Sequence, residues 1–276
     1  MMKKYLPILI VVIVLQTLPA YSISYLTDGT KNADKIANNA DFRKQQIPTS
    51  AFILTSYTKI DNGADTLRIY IEGDGFAFTP HRMISSNPTP KDPIALKLAV
   101  KDSHTNIAYL ARPCQYISEK EEKNYKDKYW SDARFSEEVI CSMNEAVDQL
   151  KNQASAKRIV LIGFSGGAAV AVLVAARRND VSKIITVAGN LDHAAINTHH
   201  NVAQMKDSLN PIYYAKDVSH ITQQHFAGAD DRIVPVSIIK NFAYASGDTD
   251  YKTVTVVEGC SHNKGWVDIW KELNSY

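Results

Sequence analysis

The chain has 276 residues, of which 45% are hydrophobic, and its 31 basic residues nearly balance 29 acidic ones. A formal net charge of +2 provides no basic excess of the kind that a nucleic-acid-binding surface requires. The length and apolar fraction suffice for one α/β domain with a buried core. No internal repeat or low-complexity tract divides the sequence.

The N-terminus has the layout of a secretory signal peptide, predicted to comprise residues 1–22. Lys3 and Lys4 precede an apolar run at 5–15, and small residues follow at Ala20 and Ser22. The run is shorter than the roughly 20 residues that span a bilayer, so we expect cleavage after Ser22, or alternatively after Ala20. The expected product is an exported protein, periplasmic or secreted, with no membrane span. An uncleaved anchor at the outer face of the membrane is the competing interpretation.

The remaining chain, residues 23–276, is predicted to form a single domain of alternating strands and helices. Strands are expected near 51–59, near Leu67 and at 106–110, 159–162, 183–187, 224–227 and 251–257. Helices are expected near 93–101, 132–152 and 168–178, after Pro235, and at 266–273. Alternating βα units predict a mainly parallel central sheet with helices on both faces, and functional residues at the carboxyl ends of its strands.

A glycine-rich turn, Gly163-Phe164-Ser165-Gly166-Gly167, connects the strand predicted at 159–162 to an alanine-rich helix. Glycines remove the Cβ clashes of a sharp strand-to-helix turn, so Ser165 is predicted to be an exposed nucleophile. Gly166 begins the helix, and its N–H group is expected to point toward the position of an oxyanion.

A serine hydroxyl needs a histidine to accept its proton and an acid to orient that histidine. The loop at 228–235 follows a predicted strand and carries Asp231, our choice for the acid, with Asp230 as the alternative. His262 lies in the loop after the strand predicted at 251–257 and is the expected base.

These motifs resemble the α/β-hydrolase family from about Thr55 to the C-terminus: G-x-S-x-G at 163–167, G-x-x-D-x-x-V-P at 228–235, and a histidine in the last loop. With I-E-G-D-G at 71–75 and Y-L-A-R-P-C-Q at 109–115, the chain is similar to a subgroup of small exported bacterial members. The resemblance implies an oxyanion loop after the strand near Leu67, with a second N–H donor at Asp74, Gly75 or Phe76. This loop begins Glu-Gly where many relatives have His-Gly.

The implied function is an esterase acting on a small-molecule ester or acyl substrate. A peptidase or amidase, an acyltransferase, and a non-catalytic exported binding protein are the alternatives. A short cap is expected at about 190–214, whose mixed composition favours a small or medium acyl group. No cofactor is implied, because neither a G-x-G-x-x-G nor a phosphate-loop pattern occurs. No metal site is predicted either, because the histidines at 193–225 lack ligand spacing.

The three cysteines permit one disulfide in an exported chain, with three possible pairings. Cys114 and Cys141 flank a loop and helix and form one candidate pair. Cys260 lies two residues before His262 but lacks the strand-turn-helix setting of Ser165. We therefore expect Cys260 to be a packed thiol rather than a nucleophile.

Overall fold

The computed structural model describes residues 21–61, 64–247 and 252–275, with side chains in the first range from residue 29 onward. Apart from Tyr21 and Ser22, the predicted signal peptide lies outside the described residues, so its cleavage remains a prediction. In the ranges described, no helix combines the length and apolar character needed to cross a membrane.

Eight strands form one sheet in the order β1-β2-β4-β3-β5-β6-β7-β8. The strands are β1 (Arg43–Pro48), β2 (Ile53–Lys59), β3 (Thr66–Ile71), β4 (Ile107–Leu110), β5 (Arg158–Phe164), β6 (Val181–Val187), β7 (Thr222–Gly228) and β8 (Lys252–Val257). β2 runs antiparallel to both of its neighbours, β1 and β4, and all other adjacent strands are parallel. The predicted, mainly parallel sheet is confirmed.

Helices cover both faces of the sheet, as predicted. They are α1 (Tyr21–Asn38), α2 (Ile94–Lys101), α3 (Glu137–Gln153), α4 (Gly166–Ala175), α5 (His193–His199), α6 (Val236–Ala245) and α7 (Trp266–Leu273), with short 3-10 helices at Asp127–Trp130 and Pro211–Tyr214. Side chains of each strand alternate in direction. In β5, Ile159 and Leu161 join α3, α4 and α6 in one apolar cluster, while Val160 and Ile162 join α1, α2 and α7 in the other.

Helix α4 is enclosed on every side, because all of its residues are buried. Its first turn packs directly on β5: a Cβ added to Gly163 would lie 2.4 Å from the Cα of Ala168. Only glycine permits this approach of strand and helix. The turn between β5 and α4 is therefore held between two buried elements.

Two elements, α1 and β1, precede the first strand that the sequence predicts. β1 is an edge strand of sequence Arg-Lys-Gln-Gln-Ile-Pro in which only Ile47 is buried, so it has no alternation of apolar and polar residues. The start predicted for α3, near 132, is also wrong. Residues 131–135 form a turn, and α3 begins at Glu137 because the Ser136 hydroxyl caps it by accepting a hydrogen bond from the Val139 N–H group.

Candidate active site

Ser165 occupies the turn between β5 and α4 with φ 50° and ψ −118°, a backbone conformation that residues other than glycine rarely adopt. Its N–H group donates to the carbonyl of Val187 at the end of β6, at 2.9 Å. The Gly73 backbone lies beside it, since a Cβ added to Gly73 would be 3.3 Å from the Ser165 Cβ. Neighbouring strand ends therefore hold the serine in this conformation.

His262 connects Ser165 to Asp231 through its two ring nitrogens. Its Nε2 atom lies 2.9 Å from the Ser165 Oγ atom, and its Nδ1 atom lies 2.9 Å from Oδ2 of Asp231. The indole N–H of Trp266, in the first turn of α7, donates to the carbonyls of Ser261 and His262 and so fixes the loop after β8. The structure thus brings together the three side chains that the sequence selected.

Asp231, and not the alternative Asp230, contacts His262. The Asp231 side chain has no exposed surface, and its Oδ1 atom accepts hydrogen bonds from the N–H groups of Ile233 and Val234 at 2.8 and 2.9 Å. Asp230 is exposed to solvent. The turn after β7 therefore orients one carboxylate inward and leaves its neighbour outside.

The loop after β3 narrows the choice of the second oxyanion donor. The N–H group of Phe76 donates to the carbonyl of Pro88 at 2.9 Å and is committed to the loop itself. Within the described residues, the N–H groups of Asp74 and Gly75 have no hydrogen-bond acceptor in the protein. Gly166 contributes its N–H from the first position of α4, where helix N–H groups lack partners within the helix. The remaining candidates are thus Gly166 with Asp74 or Gly75.

The Asp74 carboxylate lies against the start of α4 and is held by two arginines. A Cβ added to Gly166 would lie 2.1 Å from its Oδ1 atom. Oδ1 is 3.3 Å from Nη1 of Arg112, and Oδ2 is 2.8 Å from Nη1 of Arg134. Arg112 also donates to the carbonyl of Arg134, and burial lowers its pKa to about 10 against the opposing effect of Asp74.

Glu72 supports the same loop from beneath. Its Oε1 atom accepts hydrogen bonds from the N–H group of Gly73 at 3.0 Å and from that of Ala95, in the first turn of α2, at 3.4 Å. The carboxyl group is buried, and loss of hydration raises its pKa to about 7. Glu72, which stands where many members of the resembled family have histidine, ties the predicted oxyanion loop to α2.

A cleft of about 440 Å³ opens above Ser165. The loops after β3 and before α2 contribute most of its lining, and the wall is completed by Arg134, Phe164, Ile233, His262 and Asn263. Residues 190–214, the predicted cap, do not line this cleft. Met205 of this segment contacts Arg134, which lines the cleft: the Met205 Sδ atom lies 2.9 Å from the Arg134 Nε atom.

Sequence reasoning missed Arg112 and Arg134. Arg112 follows β4 at the carboxyl edge of the sheet, where side chains of parallel strands converge on a ligand site, so its position was a usable signal. Arg134 lies in the turn before α3, which was predicted to be helical, and no local pattern points to Asp74, 60 residues away.

The three cysteines are free thiols, so the candidate pair Cys114 and Cys141 is not bonded. Cys114 is buried with its Sγ atom 3.8 Å from the carbonyl of Asn124, whereas Cys141 lies on the exposed side of α3 beside Glu137. Cys260 is buried, as expected of a packed thiol. Among the residues that the structure describes, no group of three or more histidine, cysteine or acidic side chains is arranged to bind a metal ion.

No known protein family and no curated protein sequence matches the chain. Its fold, however, is similar to those of solved hydrolases. The Pyrococcus furiosus esterase Pf2001 aligns with a TM-score of 0.59 and 15% identity over 86% of this chain and 91% of that one. Est1E from Butyrivibrio proteoclasticus aligns with a TM-score of 0.57 and 12% identity over 83% and 95% of the two chains. An alpha-beta serine hydrolase homologue from Coxiella burnetii aligns with a TM-score of 0.53 and 16% identity over 84% and 93%. The predicted α/β-hydrolase fold is thereby confirmed.

Proposed function

We propose that this chain, which has the α/β-hydrolase fold, is a serine hydrolase that cleaves a carboxylic ester through an acyl-Ser165 intermediate. The observation that carries the proposal is the continuous hydrogen-bonded chain from Ser165 Oγ through His262 to the buried Asp231 carboxylate. Ser165 and His262 lie at the floor of a cleft, beside backbone N–H groups of Asp74 and Gly75 that have no acceptor among the described residues. Such an arrangement activates a hydroxyl and binds the charge that its attack creates.

In the proposed first step, Ser165 Oγ attacks the ester carbonyl while His262 Nε2 accepts the hydroxyl proton. Asp231 accepts a hydrogen bond from the Nδ1–H group of His262, which fixes the tautomer and stabilises the imidazolium that forms. The carbonyl oxygen becomes an oxyanion within reach of the Gly166 N–H and that of Asp74 or Gly75. The tetrahedral intermediate then collapses, and His262 returns the proton to the departing alcohol.

In the second step, water takes the place of the alcohol. His262 removes a proton from the water molecule as it attacks the acyl group, a second oxyanion forms at the same donors, and Ser165 leaves with the proton returned by His262. The products are a carboxylic acid and the free enzyme. Asp74 does not oppose these oxyanions, because Arg112 and Arg134 neutralise its carboxylate.

One of the similar structures supports an ester as the substrate, since Pf2001 is named an esterase. The N-terminal pattern at 1–22 supports the further proposal that the enzyme acts after export.

The test is covalent labelling of the purified protein, expressed from the full-length chain in a bacterial host, with a fluorophosphonate probe. Intact mass should show one adduct on the wild type, none on Ser165→Ala, and much slower labelling of His262→Ala. His220→Ala, which changes an exposed histidine outside the cleft, is the matched control and should label normally. The same spectrum reads the mature N-terminus and so tests cleavage after Ser22 or Ala20.

Hydrolysis of p-nitrophenyl acetate, butyrate and octanoate would then establish ester cleavage and acyl-chain preference. A wild-type protein with a folded circular dichroism spectrum that takes up no probe would contradict the proposal. Equal labelling of wild type and Ser165→Ala would contradict the choice of nucleophile.

A further inference from the structure

Two guanidinium groups share a single carboxylate beside the start of α4. Arg112 and Arg134 both contact Asp74, and the three side chains are only 4%, 14% and 22% exposed. One carboxylate balances one of the two positive charges, so the cluster carries a net charge of +1. Water screens that charge poorly in so enclosed a place.

The unbalanced charge lies in the proposed active site. Arg134 lines the same cleft as Ser165 and His262, and the Asp74 carboxylate that it binds touches Gly166, the residue after the nucleophile. The other side-chain contacts of Arg134 are with uncharged groups. Its Nε atom lies 2.9 Å from the Met205 sulfur, and its guanidinium lies 5.8 Å from the ring centre of Phe135.

The other acidic groups along the cleft are already engaged. Asp92 forms an ion pair with Lys97, and Glu72 is buried beneath the oxyanion loop, where it accepts backbone hydrogen bonds. A second cation, Lys91, lines the cleft with its Nζ atom 4.1 Å from the ring centre of Phe76. In the described part of the chain, Asp74 is the only carboxylate that pairs with Arg134.

We infer that Arg134 binds an anionic group of the substrate, so that the preferred substrates are esters carrying a carboxylate or similar anion near the scissile bond. This inference rests on the proposed hydrolase function and specifies its substrate class. A guanidinium offers parallel N–H donors that match a planar carboxylate, and a substrate anion would balance the charge that Asp74 leaves over.

The test compares kcat/KM for esters that differ only in a carboxylate or its uncharged amide. Monoethyl succinate and ethyl succinamate place this group on the acid side of the ester, whereas acetoxyacetate and acetoxyacetamide place it on the alcohol side. In at least one pair the wild type should prefer the anion by about tenfold or more, the range of hydrogen bonds to charged groups. Arg134→Gln should abolish that preference, and Arg134→Lys should retain part of it.

The decisive readout is the ratio of kcat/KM for the carboxylate ester to kcat/KM for its amide counterpart. A merely structural role of Arg134 would lower both values together and leave this ratio unchanged. Arg82→Gln is the control, since it removes an exposed arginine of the loop between β3 and α2 that does not line the cleft, and should keep the wild-type ratio. Equal kcat/KM within both pairs, or a preference that survives in Arg134→Gln, would overturn the inference.

Failure of the inference and failure of the proposed function are distinguishable. Probe labelling of Ser165 with hydrolysis of p-nitrophenyl esters, but no preference for the anion or no cleavage of the four test esters, would refute the anion site alone. Absence of both labelling and ester hydrolysis would contradict the hydrolase proposal and the anion site together.

Discussion

The Asp231 carboxylate meets His262 from a fully enclosed position: Oδ2 lies 2.9 Å from Nδ1 of the imidazole, and the Asp231 side chain has no exposed surface. Two backbone N–H groups of the same turn hold its other oxygen. The carboxylate therefore has one orientation available, and it determines which nitrogen of His262 carries the proton.

Asp231→Asn should keep this geometry but reverse the tautomer, because the amide can donate to Nδ1 and leave the proton on Nε2. We expect kcat for ester hydrolysis to fall by about 10³ to 10⁴. Asp230→Asn, one residue away and exposed, is the matched control and should stay within about twofold of wild type. Similar losses in the two variants would show that Asp231 has no special role.

Replacement of Ser165 by glycine should stabilise the protein more than replacement by alanine. Both variants lose the hydroxyl, but only glycine relieves the backbone strain at φ 50° and ψ −118°, which costs about 1–3 kcal/mol. Part of this gain is offset by the greater freedom of glycine in the unfolded chain. We expect urea denaturation to give Ser165→Gly a free energy of unfolding about 1 kcal/mol above that of Ser165→Ala. Equal values would show that the backbone strain at Ser165 does not exceed the extra conformational freedom of glycine in the unfolded chain.

Gly166→Ala should impair catalysis by displacing Asp74. The new Cβ would lie 2.1 Å from the Asp74 Oδ1 atom, closer than real Cβ contacts, so the carboxylate must move. We expect kcat to fall about a hundredfold, comparable to the loss of one oxyanion donor. Ala168→Gly, in the same helical turn, adds no atom and should preserve kcat within a few-fold. Full activity of Gly166→Ala would contradict the assignment of this loop to the oxyanion site.

Glu72 should make the protein less stable as the pH rises. The pKa of Glu72 is about 7 in the folded state, against 4.5 for an unperturbed glutamate side chain. Between pH 4.5 and pH 7 the folded protein therefore binds more protons than the unfolded chain, and its free energy of unfolding falls as the pH rises. The loss of folding stability caused by ionisation of buried Glu72 is absent below about pH 4.5 and complete above about pH 7. Glu72→Gln cannot ionise, so its advantage in free energy of unfolding over wild type should grow by about 2–3 kcal/mol between pH 5 and pH 8.

Urea denaturation of both proteins at several pH values measures this difference and cancels the contributions of other groups. Glu258→Gln removes an exposed carboxylate and should follow the wild-type profile throughout. A constant difference between Glu72→Gln and wild type would mean that Glu72 does not ionise across this range.

The elements that carry the site were predictable because local sequence determines them. The glycines around Ser165 permit one sharp turn, and β-branched runs before the loops of Asp231 and His262 predict strands whose carboxyl ends meet at one edge of a parallel sheet. The choice between Asp230 and Asp231 depended on which side chain the turn directs inward, and the structure resolves it through hydrogen bonds that span only two or three residues.

The charge cluster was not predictable, because its members approach only in the folded chain. Asp74, Arg112 and Arg134 come from three separate loops, and Arg134 belongs to no recognisable motif. β1 escaped prediction for a related reason. Its polar residues pair with β2 at the sheet edge, so the strand depends on a neighbour's hydrogen bonds rather than on burial of its own side chains.

Helix α4, which follows Ser165, is buried on all sides, whereas part of the loop between β3 and α2 is exposed. Because no residue of this helix faces solvent, we expect its amide hydrogens to exchange mainly through global unfolding. The proposed nucleophile is thus attached to a segment that we expect to exchange slowly, whereas Phe78 and Met83, in the loop between β3 and α2, are exposed. Substitutions at the exposed positions of that loop are therefore expected to cost less folding stability than substitutions in α4.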